Sequence, residues 1–287
     1  MGRIYEALEK AENGAEAEQS EKSLEIPVIS SPRDLVVLGK PGSQIAEQFR
    51  YLRSRVTKPL YGKLSRSILV TGAAKGDGKT FVACNLAATI AQGMDEYVLL
   101  VDADLRNPRI HQVFELERSD SGLSNHLRDD VPLERLLQNT SVGKLTILPA
   151  GDATENPAEL LSSSKMKSFI TEVTERYPDR FIIFDSPPVE LAPESAVIAR
   201  EVEGVLMAIR MGATPRDIIK SSLEKFPQDN FMGLVFNGDT SRRHRRKYGK
   251  GSYGSKSYGY GYGYGYGYGS GKSSSETKKR TDEKASK

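Results

Sequence analysis

The 287-residue sequence contains no tryptophan and only one cysteine, Cys84. A single cysteine excludes an internal disulfide and any metal site with several thiolate ligands, so we expect Cys84 to be a small core residue. No apolar run reaches the roughly 18 residues of a membrane-spanning helix, and the opening segment MGRIYEALEK lacks the apolar core of a signal peptide. We therefore expect a cytoplasmic protein.

The formal net charge is also small, at +3, but basic and acidic residues are distributed unevenly along the chain. Residues 241–287 hold 13 Lys and Arg against 3 Asp and Glu, a net +10, whereas residues 1–240 hold 28 against 35, a net −7. An acidic body argues against a general nucleic-acid-binding surface. The basic tail could contact an acidic membrane, a nucleic acid or the body itself, and charge alone does not choose among these.

Composition and periodicity divide the chain into three predicted regions. Residues 1–34 are predicted to form a short docking helix and a polar linker. Residues 35–240 carry the signals of a folded domain. Residues 241–287 have almost no aliphatic side chains, and Tyr and Gly alternate at 258–269. Because glycine costs backbone entropy and offers no side chain to pack, this third region is predicted to be a disordered tail.

One helix is predicted after the Pro41-Gly42 dipeptide, with Ser43 as its N-cap. On this helix, Glu47 and Arg50 fall roughly opposite the apolar stripe and Arg53 falls on its flank; by spacing alone, this row is an ordinary solvated face. The predicted buried stripe consists of Ile45, Phe49, Leu52 and Val56.

From Ser67 onward, apolar runs alternate with helical segments. The runs are continuous rather than alternately polar, which indicates strands buried on both faces of a mainly parallel sheet. The predicted fold is therefore a doubly wound α/β domain. The predicted strands are SILVTG (67–72), YVLLVDAD (97–104), LTILPAG (145–151), RFIIFDSPP (180–188), GVLMAIRMG (204–212) and MGLVFNG (232–238).

The strongest motif is TGAAKGDGKT at residues 71–80, which matches a phosphate-binding loop with alanine in place of the first glycine. It follows a predicted strand and precedes a predicted helix, as this motif requires. Backbone amides of the loop and the helix N-terminus are expected to surround a β-phosphate. We expect Lys79 to face solvent and to reach phosphate oxygens, and Thr80 to bind Mg²⁺. The candidate nucleotide-binding residues are Ala73, Ala74, Lys75, Gly76, Asp77, Gly78, Lys79 and Thr80.

Aspartates also end two predicted strands. Asp102 and Asp104 lie at the edge where ligands bind to a parallel sheet. Neighbouring carboxylates repel each other unless a metal or substrate interacts with them. In the structural alternative one of them caps the next helix, and Arg106 or Arg109 pairs with Asp104. Asp185 ends the run RFIIFD, which is typical of a Walker B strand whose aspartate binds Mg²⁺ directly or through water.

The tail contains a cluster of eight tyrosines that core packing does not explain, because they have no aliphatic neighbours. Such a segment can stack on single-stranded nucleic acid. Its tyrosines can also be phosphoacceptors. They are Tyr248, Tyr253, Tyr258, Tyr260, Tyr262, Tyr264, Tyr266 and Tyr268.

The ordered set AAKGDGKT, LLVDADLRNP, FIIFDSPP and a C-terminal tyrosine cluster resembles the bacterial tyrosine kinases, which use Walker motifs and regulate exopolysaccharide export. The segment Glu47-x-x-Arg50-x-x-Arg53 is similar to their oligomerisation motif, and the similarity continues at NPAELL (156–161) and in the strand ending FNG. The opening MGRIYEALEKA is similar to that of stand-alone autokinases encoded with exosortase-linked polysaccharide operons.

This resemblance implies a P-loop fold similar to that of partitioning ATPases, with ATP and Mg²⁺ as cofactors. It implies that the γ-phosphoryl group passes to tail tyrosines, with one aspartate orienting or deprotonating the acceptor. The implied catalytic residues are Lys79, Asp102, Asp104 and Asp185, the implied metal-binding residues are Thr80, Asp102 and Asp185, and Asn237 matches an adenine-contacting position.

The resemblance also implies partners. These are a ring-like homo-oligomer formed through Glu47, Arg50 and Arg53, a separate membrane chain-length regulator that activates the kinase, and a cognate phosphotyrosine phosphatase. The protein is then expected at the inner face of the membrane through its partner, with no nucleic acid bound.

Two departures leave alternatives open. Ala74 stands where partitioning and division-site ATPases have a signature lysine, and Lys75 is one residue away from that position. Many proteobacterial members of the family are fused to a membrane-spanning chain-length regulator, and because the 287 residues contain no such segment, activation is expected to need a separate membrane partner. The alternatives are a positioning ATPase that acts as an ATP-dependent dimer switch, and a nucleotide-gated scaffold whose tail stacks on nucleic acid or is adhesive.

Overall fold

The computed structural model describes residues 35–60, 62–175 and 179–238. The chain divides into two units, Met1–Ser241 and Arg242–Lys287, and the second lies wholly outside the described residues. The predicted N-terminal helix, its linker and the eight tail tyrosines also lie outside them. The division into three regions therefore stays a prediction.

Helices and strands alternate along the described chain. None of these helices is long and apolar enough to cross a membrane. The helices are α1 (Val36–Gly39), α2 (Gln44–Thr57), α3 (Lys79–Ala91), α4 (Ile110–Val113), α5 (Leu123–Asp129), α6 (Pro157–Leu161), α7 (Ser164–Glu175), α8 (Glu194–Glu201) and α9 (Arg216–Leu223), with a 3-10 turn at Leu133–Arg135. The strands are β1 (Ser67–Gly72), β2 (Tyr97–Asp102), β3 (Gln138–Asn139), β4 (Leu145–Leu148), β5 (Arg180–Asp185), β6 (Gly204–Arg210) and β7 (Phe231–Asn237).

The strands form a seven-stranded sheet in the order β3-β4-β2-β5-β1-β6-β7. Neighbouring strands are parallel except for β3, which runs antiparallel to β4. The predicted doubly wound, mainly parallel α/β fold is confirmed. Because parallel strands point the same way, the carboxyl ends of β1, β2 and β5 meet at one edge near the centre of the sheet.

Apolar side chains cover both faces of the sheet. Along β1, Leu69 packs into one cluster with Phe169 of α7, and its neighbour Ile68 packs into the other with Leu86 of α3. The strands β1 and β5 are buried along their whole length, which explains their continuous apolar sequence. Cys84 is fully buried in the α3 cluster, as expected.

The helix α2 is confirmed, but its buried stripe is displaced by one residue at its start. The Ser43 hydroxyl accepts the backbone N–H of Ala46 at 3.2 Å, so Ser43 is the N-cap. Phe49 and Val56 are buried as predicted, whereas Ile45 is 49% exposed and Ala46 is buried in its place. The reason is that Ala46, Phe49 and Val56 share the helical face that packs against α3.

The expectation that strands are buried on both faces is wrong at the edges of the sheet. The strand β7 is half-buried along most of its length, and Phe236 is 62% exposed. The strand β3 was not predicted, because its two polar residues form no apolar run. Both β3 and β7 are edge strands, which have a neighbouring strand on one side only, so their residues are less buried than those of the central strands.

Candidate active site

The carboxyl ends of three strands bring the predicted site residues together. The strand β1 ends at Gly72, the loop 73–78 follows, and α3 begins at Lys79. The strands β2 and β5 end at Asp102 and Asp185, whose Cα atoms are directly paired in the register of the two strands. Motifs that are far apart in the sequence therefore meet at one edge of the sheet.

Glycines give the loop its shape at two positions. Gly76 and Gly78 have φ angles of +91° and +88°, which glycine adopts without steric cost. A Cβ at Gly78 would lie 1.9 Å from Nδ2 of Asn237. A side chain at this position would therefore displace the Asn237 amide from the loop.

Lys79 is the cation at the centre of the site. Its side chain is only 13% exposed, and its Nζ lies 2.7 Å from Oδ2 of Asp104. Burial lowers the pKa of Lys79, but the charges of Asp185, Asp104 and Asp102 outweigh burial and raise it. The expectation that Lys79 faces solvent is wrong, because three buried carboxylates draw its ammonium group inward.

Asp185 is fully buried, and neither of its carboxylate oxygens has a hydrogen-bond partner within the described part of the chain. Burial raises the pKa of Asp185 to about 6, although the charge of Lys79 and the nearby Thr80 hydroxyl act to lower it. Two available anionic oxygens close to a hydroxyl suit Mg²⁺, which prefers oxygen ligands. Among the described residues, no three His, Cys, Asp or Glu side chains could hold a metal by themselves, so phosphate oxygens would have to complete its shell.

Asp102 combines a structural contact with a free oxygen. Its Oδ2 accepts the backbone N–H groups of Arg109 and Ile110, both at 3.1 Å, at the start of α4. The helix-capping alternative therefore describes this oxygen correctly. Its Oδ1 is buried with no partner among the described residues. Burial and then the charge of Asp185 raise the pKa of Asp102 to about 8.

Asp104 is the ion-pair partner of Lys79 and does not pair with a neighbouring arginine. Arg106 instead donates from Nε to Oε1 of Glu194 at 2.8 Å. The Glu194 side chain is 0% exposed, so its buried carboxylate holds Arg106 at the start of α8. The structural alternative, in which Arg106 or Arg109 pairs with Asp104, is wrong. Arg109 instead donates its backbone N–H to Asp102.

The contacts that hold the phosphate loop in place were not predicted. The Asp77 carboxylate accepts the backbone N–H of Ala74 at 2.7 Å, the backbone N–H of Arg210 at 3.2 Å and the hydroxyl of Thr214. The amide of Ala74 is thus directed at Asp77, although it was predicted to surround a phosphate. Arg210 and Thr214 lie 133 and 137 residues beyond Asp77, and no motif marks either of them.

Asn237 contacts the same loop from the end of β7. Its Nδ2 donates to the backbone carbonyl of Asp77 at 3.0 Å, and its Oδ1 accepts the N–H of Gly238 at 2.8 Å. Its predicted contact with adenine stays a prediction. Of the other loop residues, Ala73 is buried and Lys75 is exposed.

A groove opens beside Asp102, between the segments that follow β2 and β4. Two buried acceptor atoms that have no partner in the described structure belong to residues lining it, Oδ1 of Asp102 and Oε1 of Gln138. Polar side chains also line this groove, among them His111, Arg118 and Ser119. Its apolar lining residues include Pro108, Ile110, Ile147 and Pro149.

The predicted oligomerisation residues lie on α2. Glu47 and Arg50 form an exposed ion pair with an O–N distance of 2.6 Å, and Arg53 lies 4.0 Å from Glu96. Exposed pairs of this kind contribute little to the stability of one chain. The fold of the single chain therefore does not explain this row of charges, and its predicted role in assembly stays a prediction.

Comparison with known proteins identifies relatives of this chain. A family model described as an AAA domain matches residues 65–209. The tyrosine-protein kinase YwqD of Bacillus subtilis is 31% identical over 226 residues, which cover 78% of this chain and 92% of YwqD. The tyrosine-protein kinase Etk of Escherichia coli is 30% identical over 209 residues, and the chain spans only 28% of the length of Etk.

Solved structures give the same result. The kinase domain of Escherichia coli Etk has a TM-score of 0.68 at 28% identity, and the match covers 85% of this chain and 91% of that domain. The septum site-determining protein MinD of Pyrococcus horikoshii, solved with Mg-ADP, has a TM-score of 0.50 at 22% identity. This second likeness shows a shared fold alone.

Proposed function

The chain belongs to the bacterial tyrosine-protein kinase family, and we propose that it uses ATP to phosphorylate the tyrosine cluster of its own C-terminal tail. The observation that carries the proposal is the arrangement at the carboxyl edge of the sheet. There a phosphate-loop lysine faces three buried carboxylates, in a chain that also contains eight clustered tyrosines. Phosphoryl transfer needs positioning and charge neutralisation more than covalent catalysis, and this site provides both.

Each side chain has a proposed part in the transfer. Bound Mg²⁺ would neutralise charge on the β and γ phosphates. Thr80 and Asp185 hold the metal, since their oxygens lie together at the start of α3. Lys79 exchanges its contact with Asp104 for phosphate oxygens and stabilises the charge of the transition state.

The acceptor tyrosine approaches Asp102 at the carboxyl edge of the sheet. Its hydroxyl oxygen bonds to the γ phosphorus as the bond from that phosphorus to the β–γ bridging oxygen breaks. Oδ1 of Asp102, once the carboxyl is ionised, takes the hydroxyl proton, since this oxygen has no hydrogen-bond partner among the described residues. Asp104, which Lys79 releases when it moves to the phosphates, is the second candidate for this role. The products are ADP and phosphotyrosine.

The transfer is proposed to occur between subunits. About 20 residues separate Gly238 from Tyr258, and a chain of that length reaches about 65 Å when extended. We expect an inactive Asp185→Asn chain with an intact tail to become labelled when it is mixed with an active chain whose eight tail tyrosines are phenylalanine. Mass spectrometry of each chain, distinguished by isotope labelling, measures this.

The control for this experiment is the inactive chain incubated alone, which should stay unlabelled. Labelling confined to chains that are themselves active would reject transfer between subunits. ATP hydrolysis without any phosphotyrosine would reject the kinase proposal and favour the positioning ATPase.

Assembly is proposed to depend on Glu47, Arg50 and Arg53. Replacing all three with alanine should shift a ring-like oligomer to monomer, as measured by light scattering. The melting temperature should change little, because exposed charges contribute little to the stability of one chain. A matched control replaces one acidic and two basic exposed residues elsewhere, Glu175, Arg216 and Lys220, and should leave the mass unchanged. An oligomer that survives the first triple replacement would show that this row is only a solvated face.

The cellular role proposed for this kinase is the control of exopolysaccharide synthesis and export. Each phosphate adds about −1.5 to −2 charges, so about six would make the tail of net +10 slightly negative. The acidic body would then repel the tail, and the ring would dissociate. A separate membrane chain-length regulator would activate the kinase, and a cognate phosphatase would reset it.

A further inference from the structure

The phosphate loop contains an acidic residue whose carboxylate does not point to solvent. Asp77 is 2% exposed. Its Oδ2 accepts the N–H of Ala74 within the loop, and its Oδ1 accepts the N–H of Arg210 and the hydroxyl of Thr214 outside it. Three donors therefore compensate a buried negative charge that would otherwise lie next to bound phosphates.

The contacts that reach the loop from outside it come from the end of β6, the connection after β6 and the end of β7. Arg210 is the last residue of β6, and its guanidinium also lies 3.4 Å from the carbonyl oxygen of Gly76. Thr214 lies in the connection from β6 to α9. From β7, Asn237 donates to the carbonyl of Asp77 at 3.0 Å. The loop is thus held by two strands that carry none of the Walker motifs.

We propose that Asp77 and Thr214 are positioning residues which fix the phosphate loop in the conformation that binds nucleotide. The pair acts through the loop and not on the phosphates, because both side chains are occupied by contacts to each other and to backbone amides. Thr214 supplies the only side-chain hydroxyl that Asp77 contacts in the described structure. This inference rests on the proposed binding of ATP at the loop, but not on transfer to tyrosine.

The expected effect on nucleotide affinity depends on the fraction of molecules whose phosphate loop is in the conformation that binds nucleotide. If a loop without this contact is competent for about a tenth of the time, the apparent dissociation constant of a nucleotide rises about tenfold. The chemical step is unchanged once nucleotide is bound, because neither Asp77 nor Thr214 touches the reacting atoms. The KM for ATP should therefore change much more than kcat.

Full-length Thr214→Val removes the hydroxyl and keeps the shape of the side chain. We expect it to raise the Kd for Mg-ADP, measured by calorimetry, and the KM for ATP by about tenfold, with kcat within about threefold of wild type. Thr214→Ser restores the hydroxyl and should return both constants to within about twofold. Amide hydrogen exchange of the segment containing Ala74 should become faster in Thr214→Val without nucleotide, since Asp77 loses one of its anchors.

The matched control is Thr140→Val, at the opposite edge of the sheet. The Thr140 hydroxyl lies 2.9 Å from the backbone carbonyl oxygen of Leu145, to which it donates, and it accepts the backbone N–H of Val142 at 3.0 Å. Its removal therefore also costs part-buried hydrogen bonds. This variant should melt lower without changing Kd or KM. Asp77→Asn, which keeps the size of the side chain and loses its charge, should also raise the Kd for Mg-ADP and speed amide exchange in the loop.

Two results would overturn the inference. One is an unchanged Kd for Mg-ADP and unchanged loop exchange in Thr214→Val. The other is a rise in Kd for Mg-ADP that is equally large in Thr140→Val and is proportional to the loss of thermal stability in each variant. Binding and hydrogen exchange need no phosphoryl transfer, so a protein that binds nucleotide but labels no tyrosine would refute the proposed function and leave this inference standing.

Discussion

Replacing Lys79 with methionine is expected to lower the rate of tail phosphorylation by about 10³-fold or more, because it removes the cation that meets the transferred phosphoryl group. The same change should also destabilise the fold by about 3 kcal/mol, since it leaves the buried carboxylate of Asp104 without its partner. Phosphotyrosine mapping measures the first effect and thermal unfolding the second.

The double variant Lys79→Met/Asp104→Asn separates these two effects. It should regain most of the lost stability, because no unpaired charge is left at position 104, and it should stay inactive. Asp102 and Asp185, whose pKa values are raised by burial, are still present in the single variant, so its loss of stability should shrink as the pH falls and these two carboxylates bind protons. Normal labelling by the single variant would remove Lys79 from the catalytic machinery.

Asp185→Asn is expected to change activity and stability in opposite directions. Phosphorylation should fall by at least about 10²-fold, because a proposed metal ligand is lost. Thermal stability at pH 8 should rise by about 2 kcal/mol, or about 4–8 °C, because burial disfavours the charge of Asp185 by more than Lys79 and Thr80 favour it, and a neutral amide replaces that charge.

The pH dependence of this gain is fixed by the direction of the pKa shift. Burial raises the pKa of Asp185 to about 6 from its unfolded value of 3.8, so the folded state binds the proton more tightly than the unfolded state. The stability contributed by protonation is therefore lost as the pH rises through about 6. The advantage of asparagine should be largest at pH 8 and should shrink towards pH 5.

Asp152→Asn provides the contrasting control. Hydrogen bonds from Arg128 and Ser124 lower the pKa of Asp152, so this carboxylate stabilises the fold at neutral pH and loses that effect in acid. Its replacement should slightly lower the melting temperature at pH 8. A lower melting temperature of Asp185→Asn at pH 8 would contradict the view that its carboxylate is an uncompensated charge.

The sequence predicts the features that depend on short continuous stretches. The phosphate loop, the aspartates that end β2 and β5, and the Ser43 cap each arise from fewer than about ten residues, and the structure has each element in its predicted place. The parallel sheet also follows, because the apolar runs of β1 and β5 can be continuous only where helices cover both faces.

The features that were missed join residues far apart in the sequence. Periodicity gives no sign that Arg106 pairs with Glu194, 88 residues away, or that Asp77 meets Thr214. The inward position of Lys79 depends on three carboxylates from two other strands and their flanking segment, and it appears only when the sheet is assembled. The displaced stripe of α2 is likewise set by the surface of α3.

The position of Asn237 has a mechanical consequence. It is the last residue of β7, an edge strand whose ladder joins it to β6 alone, and the chain continues from it towards the tail. A sideways load on the chain beyond residue 238 would open this ladder from its carboxyl end, so the contact between the Asn237 amide and the loop would be among the first to break. Tension along the strand would load all of the ladder bonds in shear and would leave this contact intact for longer. The direction in which the tail is pulled therefore sets how firmly the loop is held.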